Sequence, residues 1–130
     1  MKSAGLRLAI HNHWWEFGNI DGKLIFNIML ENLDPELSFE VDTYWVKTAG
    51  CDPVAVLKSL DKRVPLIHIK DGPCIRTEPM VALGTGSMDI PSIAKAAENA
   101  EWLIVELDRC ATDMLTAMKE SITYMKTVVK

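Results

Sequence analysis

Long apolar runs, basic clusters and paired cysteines are all missing from this chain of 130 residues, and each absence removes a class of protein. Charged or polar residues interrupt every apolar stretch before it reaches the ~20 residues of a membrane-spanning helix. Lys and Arg number 14 against 18 Asp and Glu, for a net charge of −4 and a pI near 5.3. No basic stripe is available for a phosphate backbone, which argues against nucleic-acid partners. The three cysteines, Cys51, Cys74 and Cys110, are odd in number and form no CxxC pair. Neither a zinc ribbon nor a disulfide framework is indicated, and a reducing, cytoplasmic compartment is expected. Met1-Lys2-Ser3-Ala4-Gly5 is too short and polar for a signal peptide before the first strand. Gly84-Thr85-Gly86 lacks the lysine of a nucleotide-binding loop. No linker or low-complexity segment divides the chain, so residues 1–130 are expected to form one domain.

What is present is a design repeated along the chain: a short apolar run that ends in polar, metal-capable side chains. The runs are Leu8-Ala9-Ile10-His11-Asn12-His13, Phe39-Glu40-Val41-Asp42, Leu66-Ile67-His68-Ile69-Lys70-Asp71 and Leu103-Ile104-Val105-Glu106-Leu107-Asp108. They place strands at Leu6–Asn12, Ser38–Thr43, Val64–Lys70 and Trp102–Leu107. Helices are expected between them. Lys23–Asn32 follows the turn signal Asp21-Gly22. A second helix starts at Asp52-Pro53, with Asp as cap and Pro at the first helical position. A third opens at Pro91 and reaches about Asn99. The last starts near Thr112-Asp113, with Leu115, Met118, Ile122, Met125 and Val129 forming one apolar stripe. The long connection from Cys74 to Asp89 suits an active-site loop.

Strands alternating with helices imply an α/β fold with a parallel sheet. Four βα units make half of a TIM (β/α)8 barrel, which needs about 250 residues in full. Side chains alternate across each strand. One face then carries Arg7, Ala9, His11 and His13; Ser38, Glu40 and Asp42; Leu66, His68 and Lys70; Trp102, Ile104 and Glu106. The other face is apolar throughout (Leu8, Ile10, Phe39, Val41, Ile67, Ile69, Leu103, Val105) and suits packing beneath helices. In a barrel the first face is the interior, and its strand ends form the mouth where active sites sit. His11, Asp42, His68 and Glu106 can therefore converge on one metal ion. Two imidazoles and two carboxylates suit Mn²⁺, Zn²⁺, Co²⁺ or Fe²⁺. Duller readings exist for each residue. His68 can be a satisfied interior histidine, Asp42 a cap, and Glu106 a partner of Arg109 or Lys70. Lys70 and Glu40 can form an interior ion pair, and Trp14 and Trp15 can simply cover the core.

At these same residues the chain resembles the sugar phosphate isomerase/epimerase group of xylose isomerase-like TIM barrels. The pieces are LAIHNHWWEF, FEVDTYWVKTAGCDPVAVLKSL, RVPLIHIKDG, ALGTGSMDIPSI, WLIVELDRC and the terminal SITYMK. The resemblance is to the C-terminal half, strands five to eight, with strands one to four lacking. It implies a divalent metal at the barrel mouth, with Asp42, His68 and Glu106 on ligand positions. The first ligand in relatives is often a glutamate; His11 stands there, and His13 or Glu16 are alternatives. Trp14, Trp45 and Lys70 are the expected sugar-binding residues.

The activity implied is isomerisation or epimerisation of a sugar or sugar phosphate. A base removes the proton next to a carbonyl, giving an enediolate stabilised by the cation. Glu106 is the expected base and His13 its partner on the opposite side. Dehydration, or lyase cleavage of an oxidised glycoside, starts with the same proton abstraction. A half barrel leaves two open sheet edges. The expected partner is thus a second copy in a homo-oligomer or a separate N-terminal half barrel, and a non-catalytic half-barrel fragment is the alternative. A metal-dependent nuclease shares the barrel type, but the acidic balance counts against it.

Overall fold

In a computed structural model, which describes residues 4–129, the apolar runs form a four-stranded sheet in the order β1-β4-β5-β6. Its members are β1 (Ala9–His11), β4 (Ser38–Asp42), β5 (Leu66–Ile69) and β6 (Trp102–Val105). Every pairing is parallel, with Ala9 beside Ser38, Asp42 beside His68 and His68 beside Ile104. The strands are shorter than the sequence pattern suggests. The ladder ends where the side chains turn polar, and at β1 it lacks a second neighbour: Leu6 and Leu8 are exposed rather than tucked beneath a helix.

Asp21 and Gly22 form the expected turn, with φ of 50° and 80°. Positive φ at both central residues is the type I′ signature of a two-residue hairpin. The turn joins β2 (Asn19–Ile20) to β3 (Lys23–Leu24) in a small antiparallel pair. Lys23 and Leu24 therefore belong to a strand, and helix α1 spans Ile25–Asn32.

Asp42 ends β4 and at once caps α2 (Thr43–Thr48): the Trp45 N–H donates to its Oδ1 at 3.0 Å. Asp52 caps α3 (Pro53–Leu60), accepting from Val54 N–H at 2.9 Å, as its Asp-Pro start requires. Asp89 caps α4 (Ile90–Ala96), which stops short of Asn99, and Asp113 caps α5 (Met114–Val128).

Only part of the apolar stripe expected on α5 is buried. Met125 lies in the core and Met118 packs against it, joined by Ala117 and Ser121, while Leu115, Ile122 and Val129, seven residues apart, lie exposed. Small residues let the helix approach closely, and the hydroxyl among them is satisfied. Leu83 N–H donates to Ser121 Oγ at 3.0 Å, and that hydroxyl donates to the Ala117 carbonyl at 2.7 Å. The core lies between sheet and helices, around Phe39, Val41, Ile67 and Ile69 with Val46, Leu57, Ile90 and Ile93. No helix among the described residues is long and apolar enough to cross a membrane.

Candidate metal centre

The C-terminal ends of the sheet strands bring His11, Asp42, His68 and Glu106 together. One ligand atom from each lies within 4.8 Å of every other. Asp42 Oδ2 is 3.5 Å from His11 Nε2 and 3.9 Å from His68 Nδ1, and His68 Nδ1 is 2.7 Å from Glu106 Oε2. All four of these atoms are buried and without a hydrogen-bond partner of good geometry among the described residues. Buried polar atoms are rarely left so, because each costs on the order of 1–3 kcal/mol. Four close together, two imidazole nitrogens and two carboxylate oxygens, form a donor set that suits a divalent ion. The residues present thus fit a metal.

Asp42 fills two roles at once. Its Oδ1 caps α2, and Oδ2 remains for the site. Its backbone is gripped from just past β1, where Asn12 Oδ1 accepts the Asp42 N–H at 2.9 Å and Asn12 Nδ2 donates to the Asp42 carbonyl at 3.2 Å. The sequence reading passed over Asn12; its place between two histidines and its own burial are the available signals.

Lys70 is almost fully buried and stands against three carboxylates. Its Nζ is 2.9 Å from Asp42 Oδ2, 2.8 Å from Glu106 Oε2 and 2.9 Å from Asp108 Oδ2. Burial alone pushes the ammonium toward a lower pKa. The Asp42 charge and the contacts with Glu106 and Asp108 outweigh it, so the net direction is upward and Lys70 stays charged. The Lys70–Glu40 ion pair weighed from sequence is replaced by these contacts. Parity placed Glu40 and Lys70 on one face; it did not show that Glu40 meets His68 instead, with Oε1 3.1 Å from Nε2. Lys70 Nζ also sits 5.7 Å from the centre of the Trp45 ring.

His11 is held above its ordinary pKa by the Asp42 carboxylate 3.5 Å from its Nε2, which prevails over burial. His13 stands beside the cluster without joining the four converging ligands. Its ring stacks on Trp15 at 4.1 Å and meets His11 edge-on at 5.0 Å. Its backbone N–H donates to Glu16 Oε2 at 2.8 Å, and its Nδ1 is 3.9 Å from Glu16 Oε1. Trp14 packs on buried Trp45 at 4.9 Å and carries the Arg76 guanidinium over its ring at 5.3 Å.

The loop from Cys74 to Asp89 is fastened by Asp71, another residue the sequence reading did not single out. This fully buried carboxylate accepts from the N–H groups of Gly72 and Met88 through Oδ1, and of Gly84 and Gly86 through Oδ2. A Cβ at Gly86 would run into that carboxylate. The GxG element thus closes a loop around an internal anion rather than around a phosphate.

No family model matches the chain, and no curated protein matches it. Solved structures do. A sugar phosphate isomerase/epimerase from Parabacteroides distasonis superposes with a TM-score of 0.86 at 29% identity, covering 99% of this chain and 48% of that one. A D-tagatose 3-epimerase-like protein (TM-score 0.67, 14% identity) covers 98% of this chain and 49% of its own. A xylose isomerase domain protein from Planctomyces limnophilus (TM-score 0.69, 15% identity) covers 98% and 46%. At their identities the last two speak for the fold alone. The chain thus spans about half the length of these structures, and its parallel four-stranded α/β sheet matches one half of a TIM barrel.

Proposed function

We propose that this chain is the metal-bearing half of a sugar or sugar phosphate isomerase/epimerase, with His11, Asp42, His68 and Glu106 holding a divalent ion. One observation carries the reading: two imidazoles and two carboxylates converge, and one buried atom of each makes no hydrogen bond of good geometry, with only the Lys70 ammonium standing against the two carboxylate oxygens. The likeness to a sugar phosphate isomerase/epimerase supports the substrate class. When bound, the cation supplies Lewis acidity toward a carbonyl and its neighbouring hydroxyl.

The chain's own residues do the rest. Glu106, the most exposed of the four, is the base that removes the proton next to the carbonyl, giving the substrate enediolate. His13, aligned by Glu16 and stacked on Trp15, donates a proton of its own to that carbon from the opposite side, while the proton taken by Glu106 leaves to solvent. Lys70 holds a positive charge beside the developing oxyanion. Trp14 and Trp45 give the sugar an apolar wall.

The test is metal analysis of the purified chain. About one divalent ion per chain is expected, Mn²⁺, Zn²⁺, Co²⁺ or Fe²⁺, with loss in His68→Ala. A chain that takes up none of these ions rejects the reading. One observation favours a second reading, a non-catalytic half barrel. Lys70 Nζ already stands 2.8–2.9 Å from two of the four converging atoms, so an internal ammonium can serve as their cation. That reading expects a well-folded chain with no affinity for divalent ions.

The open edges point to a partner. Leu6 and Leu8 are exposed at β1. At β6, Trp102 is 66% exposed beside a groove of about 510 Å³ lined by Ala97, Leu103, Ile122, Met125 and Val129. A second copy, or a separate half barrel of the complementary kind, would cover both edges. Light scattering is expected to give a dimer for the chain alone, and a stable monomer argues against the second copy.

A further inference from the structure

We propose that Glu40 is a positioning residue for the metal centre: it holds a proton on Nε2 of His68 and so turns the Nδ1 lone pair toward the other ligands. The inference rests on the metal-binding reading above. Glu40 and Asp42 share the inward face of β4, two residues apart. The register places Asp42 beside His68 and Glu40 beside Leu66, one layer deeper. From that layer Glu40 Oε1 comes within 3.1 Å of His68 Nε2. The other nitrogen of the ring, Nδ1, lies 2.7 Å from Glu106 Oε2 and 3.9 Å from Asp42 Oδ2.

The two nitrogens therefore meet carboxylates of different layers. A neutral imidazole carries a single N–H, and a ligating nitrogen must be the bare one. Left to itself the ring can place the proton on either nitrogen. At Nδ1 the nearer oxygen, Glu106 Oε2, already faces the Lys70 ammonium at 2.8 Å, so the acceptor at Nε2 draws the proton, holds the ring plane and strengthens Nδ1 as a donor. Glu40 is suited to this because it is not among the converging ligands. Its strand also fixes it relative to Asp42, so ring orientation and carboxylate ligand are set by one element.

The experiment uses the full chain, with Zn²⁺ alone titrated against a competing chelator, in the unmutated protein, Glu40→Ala and Glu40→Gln. Glu40→Ala is expected to weaken Zn²⁺ binding about 10- to 100-fold. Glu40→Gln keeps an acceptor oxygen and recovers most of that loss. In parallel, ¹H–¹⁵N spectra of the His68 ring are recorded on the metal-free chain at alkaline pH. The proton is expected on Nε2 in the unmutated and Gln chains and on a mixture of the two nitrogens in the Ala chain. Unchanged Zn²⁺ affinity in Glu40→Ala overturns the proposal. So does weakened affinity with the ring tautomer unmoved, since that is the mark of a merely structural role. Failure of the metal reading shows separately, as no Zn²⁺ uptake by the unmutated chain, and a proton on Nδ1 in that chain overturns the role of Glu40 whatever the metal does.

Discussion

On β4 and β5 the residues that face the helices, Phe39, Val41, Ile67 and Ile69, are all buried, whereas on β1 and β6 their counterparts Ile10, Leu103 and Val105 are only partly covered and Leu8 is exposed. The candidate site shows the same gradient. The side chains of Asp42 and His68, from the inner strands, are 0% and 14% exposed; those of His11 and Glu106, from the edge strands, are 27% and 40% exposed. The inner half of the site is fixed by this chain alone, through the α2 cap, the Asn12 grip and the Glu40 contact. The outer half has neighbours on only one flank among the described residues.

Asp42→Ala should have the largest effect. It removes a cap, a converging ligand atom and a partner of buried Lys70. Breaking a buried ion pair costs about 3–5 kcal/mol, so a urea melt should show a loss of that order and metal analysis should show no ion. A similar cost for Glu106→Ala would break the contrast between inner and edge strands. Ile67→Ala should cost about 2–5 kcal/mol by the same melt, while Leu8→Ala should stay within about 0.5 kcal/mol. If the two costs match, the edge is better packed than its exposure indicates. Trp102→Ser should weaken self-association in light scattering and leave ion content unchanged, because it alters an edge and not the inner strands.

The smallest effect is a pH dependence from His11. The Asp42 carboxylate beside it raises its folded pKa above the unfolded value of 6.5. The resulting stability is fully present below pH about 6.5 and is lost as pH rises through the folded pKa. Melts of the metal-free chain, compared with His11→Asn, should converge on the alkaline side of that window. A difference that grows with pH would reverse the assignment.

Much of the sheet was legible in the sequence because a buried parallel strand leaves a plain signal: apolar residues on one parity, chemistry on the other, repeated at βα spacing. That parity found all four converging side chains, since a one-residue slip would have turned each to the opposite face. Other features were hidden for physical reasons. Tyr44-Trp45-Val46 gave no helical period, because α2 is six residues long and buried on most sides. On α5 the stripe holds at Met118 and Met125 but not at Leu115, Ile122 and Val129, because hydrophobicity does not say which apolar face a helix buries, and a serine bonded to its own helix can sit in a core. Asp71 was passed over since four backbone N–H groups, not a motif, make a buried carboxylate tolerable there.

The grip of Asn12 on Asp42 has a consequence of its own. With one acceptor and one donor offered to a neighbouring backbone, the side-chain amide imitates a peptide group and adds a rung to the sheet after the β1 ladder stops at His11. The main chain leaves the ladder at this point, and its next N–H, that of His13, turns to Glu16 instead of a neighbouring strand. An aspartate of the same shape would keep half the rung and turn the other half into repulsion between its oxygen and the Asp42 carbonyl.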